Sequence, residues 1–405
     1  MKGIIEILQK WNLWERKISS GVKREKYIKK IMPFMERKEV LVLKGIRRSG
    51  KSTLLRQLME ELLNAGKDKK QILYLNLEDY GFADNLTLEL FDEVLDTYQQ
   101  YAKNKGKVYF FIDEIQKISS WEKWIRTKYD LGENIKFILS GSSASLLSKE
   151  LSTLLTGRNL SFTVLPLSFS EFLLFSPSGN TEEYFHYGGF PEVVLEKSEE
   201  KKTFLLQQYF EDIIHKDIID RYAIRNTKQV MELARYLVAA SGSKVSINKL
   251  SKMFGLAKDT LQTYISYMLD AYLLFEVTFF SYSLKVRHDI AKLPKFYCLD
   301  LGLINAIQVR YSKNVGQMFE NAVLIKLVEQ YSEISYWGDG ESEVDFVAGK
   351  TAINVTSSNE IPLREEEGLK KFSQKHQEFI LRLITKSLKK ENIFPLEEFL
   401  EKELV

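Results

Sequence analysis

The sequence has one cysteine and four histidines among its 405 residues. Cys298 has no second cysteine to pair with, so an intrachain disulfide and a cysteine-based zinc site are both excluded. A lone cysteine suits a reducing compartment, and so few histidines argue against a His-rich metal site. The chemistry of this chain therefore has to come from other residue types.

Long hydrophobic runs are also missing. No stretch approaches the ~18–20 uncharged apolar residues that a membrane-spanning helix needs. The first residues carry Lys2, Glu6 and Lys10 among their apolar positions, which is not the pattern of a signal peptide. These absences predict a cytoplasmic protein with no membrane partner.

The chain has little net charge, +3, but that charge is unevenly distributed. Residues 221–300 hold 12 Lys and Arg against 6 Asp and Glu, and residues 1–40 hold 11 against 5. A basic segment permits contact with phosphate groups, including those of nucleic acid. Because two segments share this property, neither is a specific signal by itself.

What is present is an alternation of short apolar runs and helical segments between residues 40 and 166. Continuous apolar runs bounded by helices indicate parallel strands covered on both faces, which predicts an α/β fold. The five strands are predicted at 40–43, 71–76, 108–112, 135–140 and 160–165.

The alternation stops near Pro166, and 405 residues exceed one ordinary core. Residues 168–240 are mainly helical in pattern, residues 241–305 resemble a compact winged helix, and a helix followed by strands comes after residue 312. The predicted domains are a helical lead-in at 1–39, a core at 40–166, a helical segment at 167–240, a winged helix at 241–311 and a C-terminal α/β domain at 312–405.

Residues 45–52 read Gly-Ile-Arg-Arg-Ser-Gly-Lys-Ser between an apolar strand and a helix, which is the complete Walker A pattern. The glycines let successive N–H groups turn toward phosphate oxygens, and the helix presents its N-terminal dipole to the same anion. We expect Lys51 to reach the β- and γ-phosphates of ATP, and the Ser52 hydroxyl to ligate Mg²⁺. The predicted phosphate-binding residues are Gly45, Ile46, Arg47, Arg48, Ser49, Gly50, Lys51, Ser52 and Thr53.

A Walker A site predicts an acid at the end of another apolar strand, and Val108-Tyr-Phe-Phe-Ile-Asp-Glu114 supplies it. Asp113 is expected to hold Mg²⁺ through water. Glu114 is expected to act as the general base on the attacking water. Without the Walker A pattern, two solvated acids at a strand end would be the simpler interpretation.

Two more polar groups are candidates for the same chemistry. The next strand ends in Ser140-Gly-Ser-Ser143, where Ser140 or Ser142 is predicted to sense the γ-phosphate. Arg158 precedes the fifth strand and is predicted to reach the γ-phosphate of a neighbouring subunit, where its charge would stabilise the transition state. The alternatives are an ordinary serine turn and a surface arginine.

At these residues the sequence resembles the AAA+ ATPases, and within them a prokaryotic group with a Gly-x-Arg-Arg-x-Gly-Lys-Ser P-loop. The resemblance covers nearly the whole chain. It implies that residues 167–240 form a lid and that subunits assemble into a ring, usually a hexamer, with ATP at the interfaces. The motifs that carry it include Asp113-Glu-Ile-Gln116, Ser140-Gly-Ser-Ser143, Gly157-Arg158 and Tyr187-Gly-Gly-Phe-Pro191.

The Gly-Gly-Phe-Pro segment is similar to the lid signature of related ATPases, in which the proline packs near the adenine. The resemblance therefore implies a nucleotide contact for Gly189 and Pro191. A plain helix-breaking turn is the alternative. Lys23-Arg24-Glu25 stands where such families place residues close to the adenine.

Residues 245–269 resemble a helix-turn-helix, with Gly255 at the end of the first helix. The recognition helix would begin with Lys258, Thr260, Gln262 and Thr263, and the wing would carry Lys285, Arg287 and Lys292. DNA is therefore a predicted partner. A lid or assembly element is the alternative, because winged helices in AAA+ proteins often serve that purpose.

The C-terminal segment resembles the PD-(D/E)xK nuclease core through Glu320 and Asp345. Asn354 and Thr356 occupy the positions where that core needs an acid and a lysine, so we expect a nuclease-like fold without cleavage activity. The predicted function is an oligomeric ATPase coupled to DNA binding or remodelling. The alternatives are a nucleotide-switched scaffold for a protein partner and, least favoured, an active nuclease.

Overall fold

The computed structural model describes residues 3–15, 19–104, 106–141, 155, 157–287, 292–307 and 315–402. The chain divides into two compact units, residues 1–164 and 165–405. In the described ranges, no helix has the length and apolar character needed to cross a membrane.

The first unit is built on a five-stranded parallel sheet in the order β2-β3-β4-β1-β5. Each strand overlaps one of the five predicted strands, so the predicted α/β class with a parallel P-loop sheet is confirmed. The strands are β1 (Val40–Lys44), β2 (Ile72–Asn76), β3 (Val108–Asp113), β4 (Ile135–Ser140) and β5 (Asn159–Thr163).

Helices cover both faces of this sheet because alternate strand residues point to opposite sides. Val40 and Val42 belong to one hydrophobic cluster, whereas Leu41 and Leu43 belong to the other. The first cluster is shared with α1 (Ile4–Trp11), α4 (Glu89–Ala102) and α5 (Trp121–Asp130), and the second with α2 (Glu25–Ile31) and α3 (Lys51–Asn64).

The segment after α1 covers the edge strand β2. The Asn12 amide donates to the Tyr74 carbonyl over 2.9 Å and accepts from the Tyr74 N–H over 2.7 Å. The Trp14 indole N–H donates to the Ile72 carbonyl over 2.9 Å. Side chains thus take up hydrogen bonds that a further strand would otherwise make, and the edge is closed to pairing with another chain.

The second unit begins with helices and ends in a mixed seven-stranded sheet, in the order β12-β11-β10-β9-β8-β6-β7. Its helices are α6 (Phe169–Phe175), α7 (Thr181–Tyr187), α8 (Pro191–Leu195), α9 (Glu199–Asp212), α10 (Thr227–Ala239), α11 (Ile247–Phe254), α12 (Lys258–Asp270), α13 (Leu284–Arg287), α14 (Leu301–Ile307), α15 (Val315–Val328), α16 (Leu363–Lys375) and α17 (Leu396–Glu401), with a π-helix at Ile213–Ile219. Its strands are β6 (Leu274–Phe279), β7 (Lys295–Cys298), β8 (Ile334–Asp339), β9 (Ser342–Ala348), β10 (Thr351–Val355), β11 (Ile380–Thr385) and β12 (Ile393–Pro395).

The predicted boundaries near residues 240 and 312 both fall inside this unit. β6 pairs with β7 on one side and with β8 on the other, so strands before and after residue 312 share one sheet. Sequence pattern does not tell which strands pair, because pairing depends on contacts distant in sequence. The separate winged-helix and C-terminal domains stay predictions.

Candidate functional site

The carboxyl ends of the parallel strands bring the predicted site residues to one edge of the first sheet. In the register of the sheet, Leu43 lies beside Ser140, Leu139 beside Ile112, and Asn76 beside Asp113. Ligands of open α/β sheets bind at this edge, where strand-to-helix loops meet.

The loop between β1 and α3 depends on its two glycines. Gly45 has φ +152°, and a Cβ there would lie 2.0 Å from the carbonyl oxygen of Val164. Gly50 has φ +92° at the N-cap of α3, in the left-handed region that favours glycine. Only a residue without a side chain fits the first position, so the sequence motif reflects a steric requirement.

Lys51 begins α3 and folds back over the loop. Its ammonium group donates to the carbonyls of Gly45 over 2.9 Å and Ile46 over 3.0 Å, and the side chain is buried. The positive charge is therefore held within the turn of the loop, at the helix N-terminus where an anion is favoured.

Ser49 and Arg24 add two features at the loop. The Ser49 hydroxyl is buried and has no hydrogen-bond partner among the described residues. The Ser49 carbonyl accepts from the Arg24 guanidinium over 2.9 Å, and Gln57 of α3 accepts from the Arg24 backbone N–H over 3.0 Å. Arg24, expected from the resemblance to lie near adenine, thus contacts the loop backbone.

Asp113 is buried at the end of β3 and joins two hydroxyl groups. Tyr74 donates to its Oδ2 over 2.7 Å, and the Ser140 hydroxyl donates to its Oδ1. Burial and the neighbouring Asp113 charge raise the pKa of Tyr74, so this phenol stays a donor. Ser140 therefore contacts the predicted metal-binding acid, while Ser142 falls outside the described residues.

Glu114 follows Asp113 in a left-handed backbone conformation, with φ 57° and ψ 45°. Burial raises the pKa of its carboxyl above the usual value, and the charge of Asp113 acts in the same direction, whereas Lys51 lowers it. Gln116 donates from Nε2 to Glu114 Oε2 over 2.5 Å. A carboxylate with a raised pKa is better suited to accept a proton than a solvated one.

Arg158 lies at the amino-terminal end of β1, whereas the P-loop follows the carboxyl end of that strand. Its backbone carbonyl accepts from Val40 N–H over 2.8 Å at the start of β1, whereas the loop follows the end of that strand. Five residues at roughly 3.3 Å each separate the two ends by about 16 Å. The guanidinium Nε lies 3.1 Å from Asp130 Oδ1.

The remaining P-loop residues lie where the motif places them. Arg48 is exposed and has φ +67°, Arg47 is partly buried, and Ile46 is buried in the loop. Thr53 is partly buried in the first turn of α3, next to Ser52.

The Gly-Gly-Phe-Pro segment makes its described contacts within the second unit. Gly189 donates its N–H to Asp300 Oδ2 over 2.7 Å, and a Cβ on it would lie 2.1 Å from the Leu167 carbonyl oxygen. Pro191 is the first residue of α8, where a missing N–H costs nothing. Burial raises the pKa of Asp300 to about 7. These contacts give the motif a packing function that the sequence did not reveal.

Glu320 and Asp345 of the second unit line a cavity of about 520 Å³. The Lys295 ammonium lies 3.2 Å from Glu320 Oε1 and 2.7 Å from Glu343 Oε1, so this internal cation is already paired with two carboxylates. Burial and the nearby Glu320 raise the pKa of Asp345 well above its usual range.

Asn354 and Thr356 do not complete a metal site at this cavity. The buried Asn354 side chain accepts from the Asp345 N–H over 3.0 Å and donates to Glu365 Oε2 over 2.9 Å. Asn354 carries no charge and its side chain is hydrogen-bonded at both ends, so it does not supply the second acid that such a centre needs. These residues do not fit a magnesium-dependent nuclease centre.

The first unit does fit a nucleotide with its magnesium ion. The P-loop has glycines where a side chain would collide, an ammonium group, and a buried Ser49 hydroxyl without a partner among the described residues. Asp113 lies at the carboxyl end of β3, at the same edge of the sheet. No group of three or more His, Cys, Asp or Glu in the described ranges could hold a metal alone. Magnesium bound with phosphates needs only one or two protein oxygens, which Ser52 and Asp113 would provide.

Comparison with known proteins bears on both units. Residues 37–173 match the family described as an AAA domain, and residues 179–314 match a domain of unknown function, DUF8612. An uncharacterized protein of Methanocaldococcus jannaschii is 33% identical over 309 residues, which are 71% of this chain and 66% of that protein. An uncharacterized protein of Haemophilus influenzae is 29% identical over 361 residues, covering 85% of this chain and 89% of its own.

Two solved structures are similar at low scores. The Orc1 protein of Aeropyrum pernix, solved in complex with DNA, has a TM-score of 0.32 and 11% identity over 70% of this chain and 91% of its own. Thermotoga maritima RuvB has a TM-score of 0.32 and 17% identity over 63% and 89%. These scores are too low to bear on function. Residues 37–173 thus match an AAA domain, and the first unit has the five-stranded parallel sheet with a P-loop that is typical of the P-loop AAA+ fold.

Proposed function

We propose that this chain hydrolyses ATP with magnesium at the carboxyl edge of its first sheet. The observation that carries the proposal is the arrangement of Lys51, Asp113 and Glu114 at the carboxyl edge of one parallel sheet, with Lys51 after the loop that follows β1 and the two acids at the end of β3. One cationic group, one metal-binding acid and one base are the set that phosphoryl transfer to water requires.

Binding rests on the loop and on Lys51. Phosphate oxygens would accept from the backbone N–H groups at the start of α3, and the ammonium would exchange a carbonyl contact for a charged oxygen. Magnesium, held by Ser52 and Asp113, would neutralise charge on the β- and γ-phosphates. The Ser140 and Tyr74 hydroxyls fix the orientation of the Asp113 carboxylate for this purpose.

Hydrolysis rests on Glu114. Its carboxylate accepts a proton from the water as the water oxygen attacks the γ-phosphorus and the bond to the bridging oxygen breaks. The raised pKa increases the tendency to take up that proton, although the carboxyl must first be ionised.

Arg158 would act on a second copy of the chain. Arg158 lies at the amino-terminal end of β1, too far from its own P-loop for contact. It can therefore stabilise phosphate charge only across an interface between two copies. Release from Asp130 would be required for that contact. The proposal therefore includes a homo-oligomer in which the site is incomplete without a neighbour.

Phosphate release from ATP tests these assignments together. We expect turnover by the wild-type chain with Mg²⁺ and none with EDTA. Glu114→Gln should bind ATP but turn over roughly 10²–10⁴-fold more slowly, because the general base is lost. Arg158→Ala should also bind and turn over slowly, whereas Arg126→Ala, which removes the other cation bonded to Asp130, should not.

Mixing two inactive variants separates an arginine acting across an interface from a structural one. An oligomer of Arg158→Ala and Lys51→Ala subunits contains interfaces with one intact P-loop and one intact arginine. We expect the mixture to regain part of the wild-type turnover. Turnover equal to the sum of the separate variants would contradict assembly through Arg158.

We propose DNA binding as a second function, carried by the exposed face of α12. Lys258, Gln262 and Thr263 are exposed at its start, while Leu261 and Ile265 pack inward. That is the disposition of a recognition helix. Duplex DNA should bind with salt-dependent affinity, and Lys258→Ala should reduce the salt slope by about 1. Absence of binding at low salt, or an equal effect of Lys252→Ala on α11, would contradict this function.

A further inference from the structure

Gln116 lies two residues after the proposed base, in the short 3-10 turn Ile115–Lys117. Its Nε2 donates to Glu114 Oε2 over 2.5 Å. Because an ionised carboxylate only accepts hydrogen bonds, the amide nitrogen has to face Glu114, and the amide orientation is thereby fixed. The other end of the amide, Oε1, is buried and has no hydrogen-bond partner among the described residues.

Gln116 Oε1 is a buried acceptor that lies close to the proposed base and has no donor among the described residues. Such an atom indicates a ligand that can donate a hydrogen bond to it. Native proteins seldom leave such an atom unpaired unless a water, a substrate or a catalytic step uses it. The attacking water has two hydrogens, and the base accepts only one of them. The second hydrogen needs a further acceptor, and Gln116 Oε1 is the unpaired buried acceptor two residues from Glu114.

We propose that Gln116 is a catalytic residue that holds the attacking water together with Glu114, and this inference rests on the proposed ATP hydrolysis. The water donates one hydrogen to the Glu114 carboxylate and the other to Gln116 Oε1, which leaves an oxygen lone pair for the γ-phosphorus. As the phosphorus–oxygen bond to water forms, the bond to the β–γ bridging oxygen breaks. Glu114 takes one proton, and ADP and inorganic phosphate are the products.

The local backbone keeps this pair of side chains in place. Glu114 has φ 57°, an uncommon conformation for a residue with a side chain, and such strain concentrates at functional sites. The turn that follows is closed by hydrogen bonds from Lys117 N–H to the Glu114 carbonyl over 3.0 Å and from Ile118 N–H to the Ile115 carbonyl over 3.2 Å. Gln116 is therefore held on a short turn next to the base.

The experiment compares Gln116→Met and Gln116→Glu with wild type in ATP affinity, in turnover and in melting temperature. Gln116→Met keeps the length of the side chain but loses both polar ends. We expect unchanged ATP affinity and melting temperature and a turnover lower on the order of 10- to 100-fold, because the water loses one of its two acceptors. Gln116→Glu keeps an acceptor but places a second carboxylate against Glu114, and the repulsion between the two should also lower turnover.

Gln99→Met is the matched control, since the Gln99 amide donates to the Asn104 carbonyl over 2.6 Å, away from Glu114. If turnover by Gln116→Met lies within twofold of wild type, the inference is overturned. If Gln116→Met does not fold, Gln116→Glu decides, and turnover within twofold of wild type overturns the inference. If the wild-type chain with Mg²⁺ releases no more phosphate than Glu114→Gln, the proposed hydrolysis fails and the inference fails with it.

Discussion

At the scale of single residues, the P-loop site combines parts that sequence motifs specify with parts that they do not. The spacing of Gly45, Gly50 and Lys51 predicts the loop because the steric and charge requirements are local. The hydroxyl groups of Tyr74 and Ser140 reach Asp113 from other strands, and only the sheet register brings them together. Tyr74 was not predicted, since a tyrosine in an apolar strand has no sequence feature that distinguishes it from a core residue.

Gly188, the first residue of the Gly-Gly-Phe-Pro segment, packs closely against Asp300. It has φ +68°, and a Cβ there would lie 2.3 Å from Asp300 Oδ1. Asp300 is buried and also accepts from the Gly189 and Leu303 N–H groups, so it has little freedom to move.

We predict that Gly188→Ala destabilises the second unit more than Gly255→Ala does. Gly255 has a similar φ, +63°, but its ψ of 28° lies in the left-handed helical region, and a Cβ there meets nothing within 4 Å among the described residues. Gly188 has ψ −157°, a conformation that residues with side chains seldom adopt. The difference between the variants therefore reports this backbone cost together with the collision with Asp300, which we expect to cost about 1–3 kcal/mol. Scanning calorimetry measures it. Equal effects of the two variants would show that Asp300 yields and that the segment is not a packing motif.

At the scale of elements, strands were predicted well where they are continuously apolar. β1 to β4 each contain a buried apolar run, whereas Phe162 is the one buried residue of β5. β8 and β11 were not predicted. β8 ends in Gly338 and Asp339, which are uncommon in strands. β11 begins with the exposed Ile380 and contains the partly buried Arg382, so its sequence has no clear alternation of apolar and polar residues.

The covering of β2 could not have been predicted either. Asn12 and Trp14 take the place of a neighbouring strand through side-chain hydrogen bonds. The spacing of these two residues does not predict contact with residues about sixty positions later. Likewise, the helix-turn-helix pattern locates α11 and α12 but gives no information on the sheet that β6 and β7 join. Local pattern specifies elements, whereas long-range contacts decide how the elements pair.

At the scale of the whole molecule, the chain combines a unit with a P-loop and a unit whose acidic cavity does not fit metal catalysis. Charge explains the contrast, because Lys51 lies in a loop shaped for an anion, whereas Lys295 is already neutralised by Glu320 and Glu343. The proposed chemistry is therefore confined to the first unit. The second unit is proposed to contact DNA through α12, and a neighbouring copy is proposed to complete the first.

Binding of ATP to the purified chain in buffer containing Mg²⁺ tests the central claim most directly. Isothermal calorimetry should show a saturable site for wild type and for Glu114→Gln, because the base is not needed for binding. Lys51→Ala should lose most of the affinity, since the loop would then hold the triphosphate charge without its ammonium group. Absence of binding to wild type, or undiminished binding to Lys51→Ala, would contradict the account.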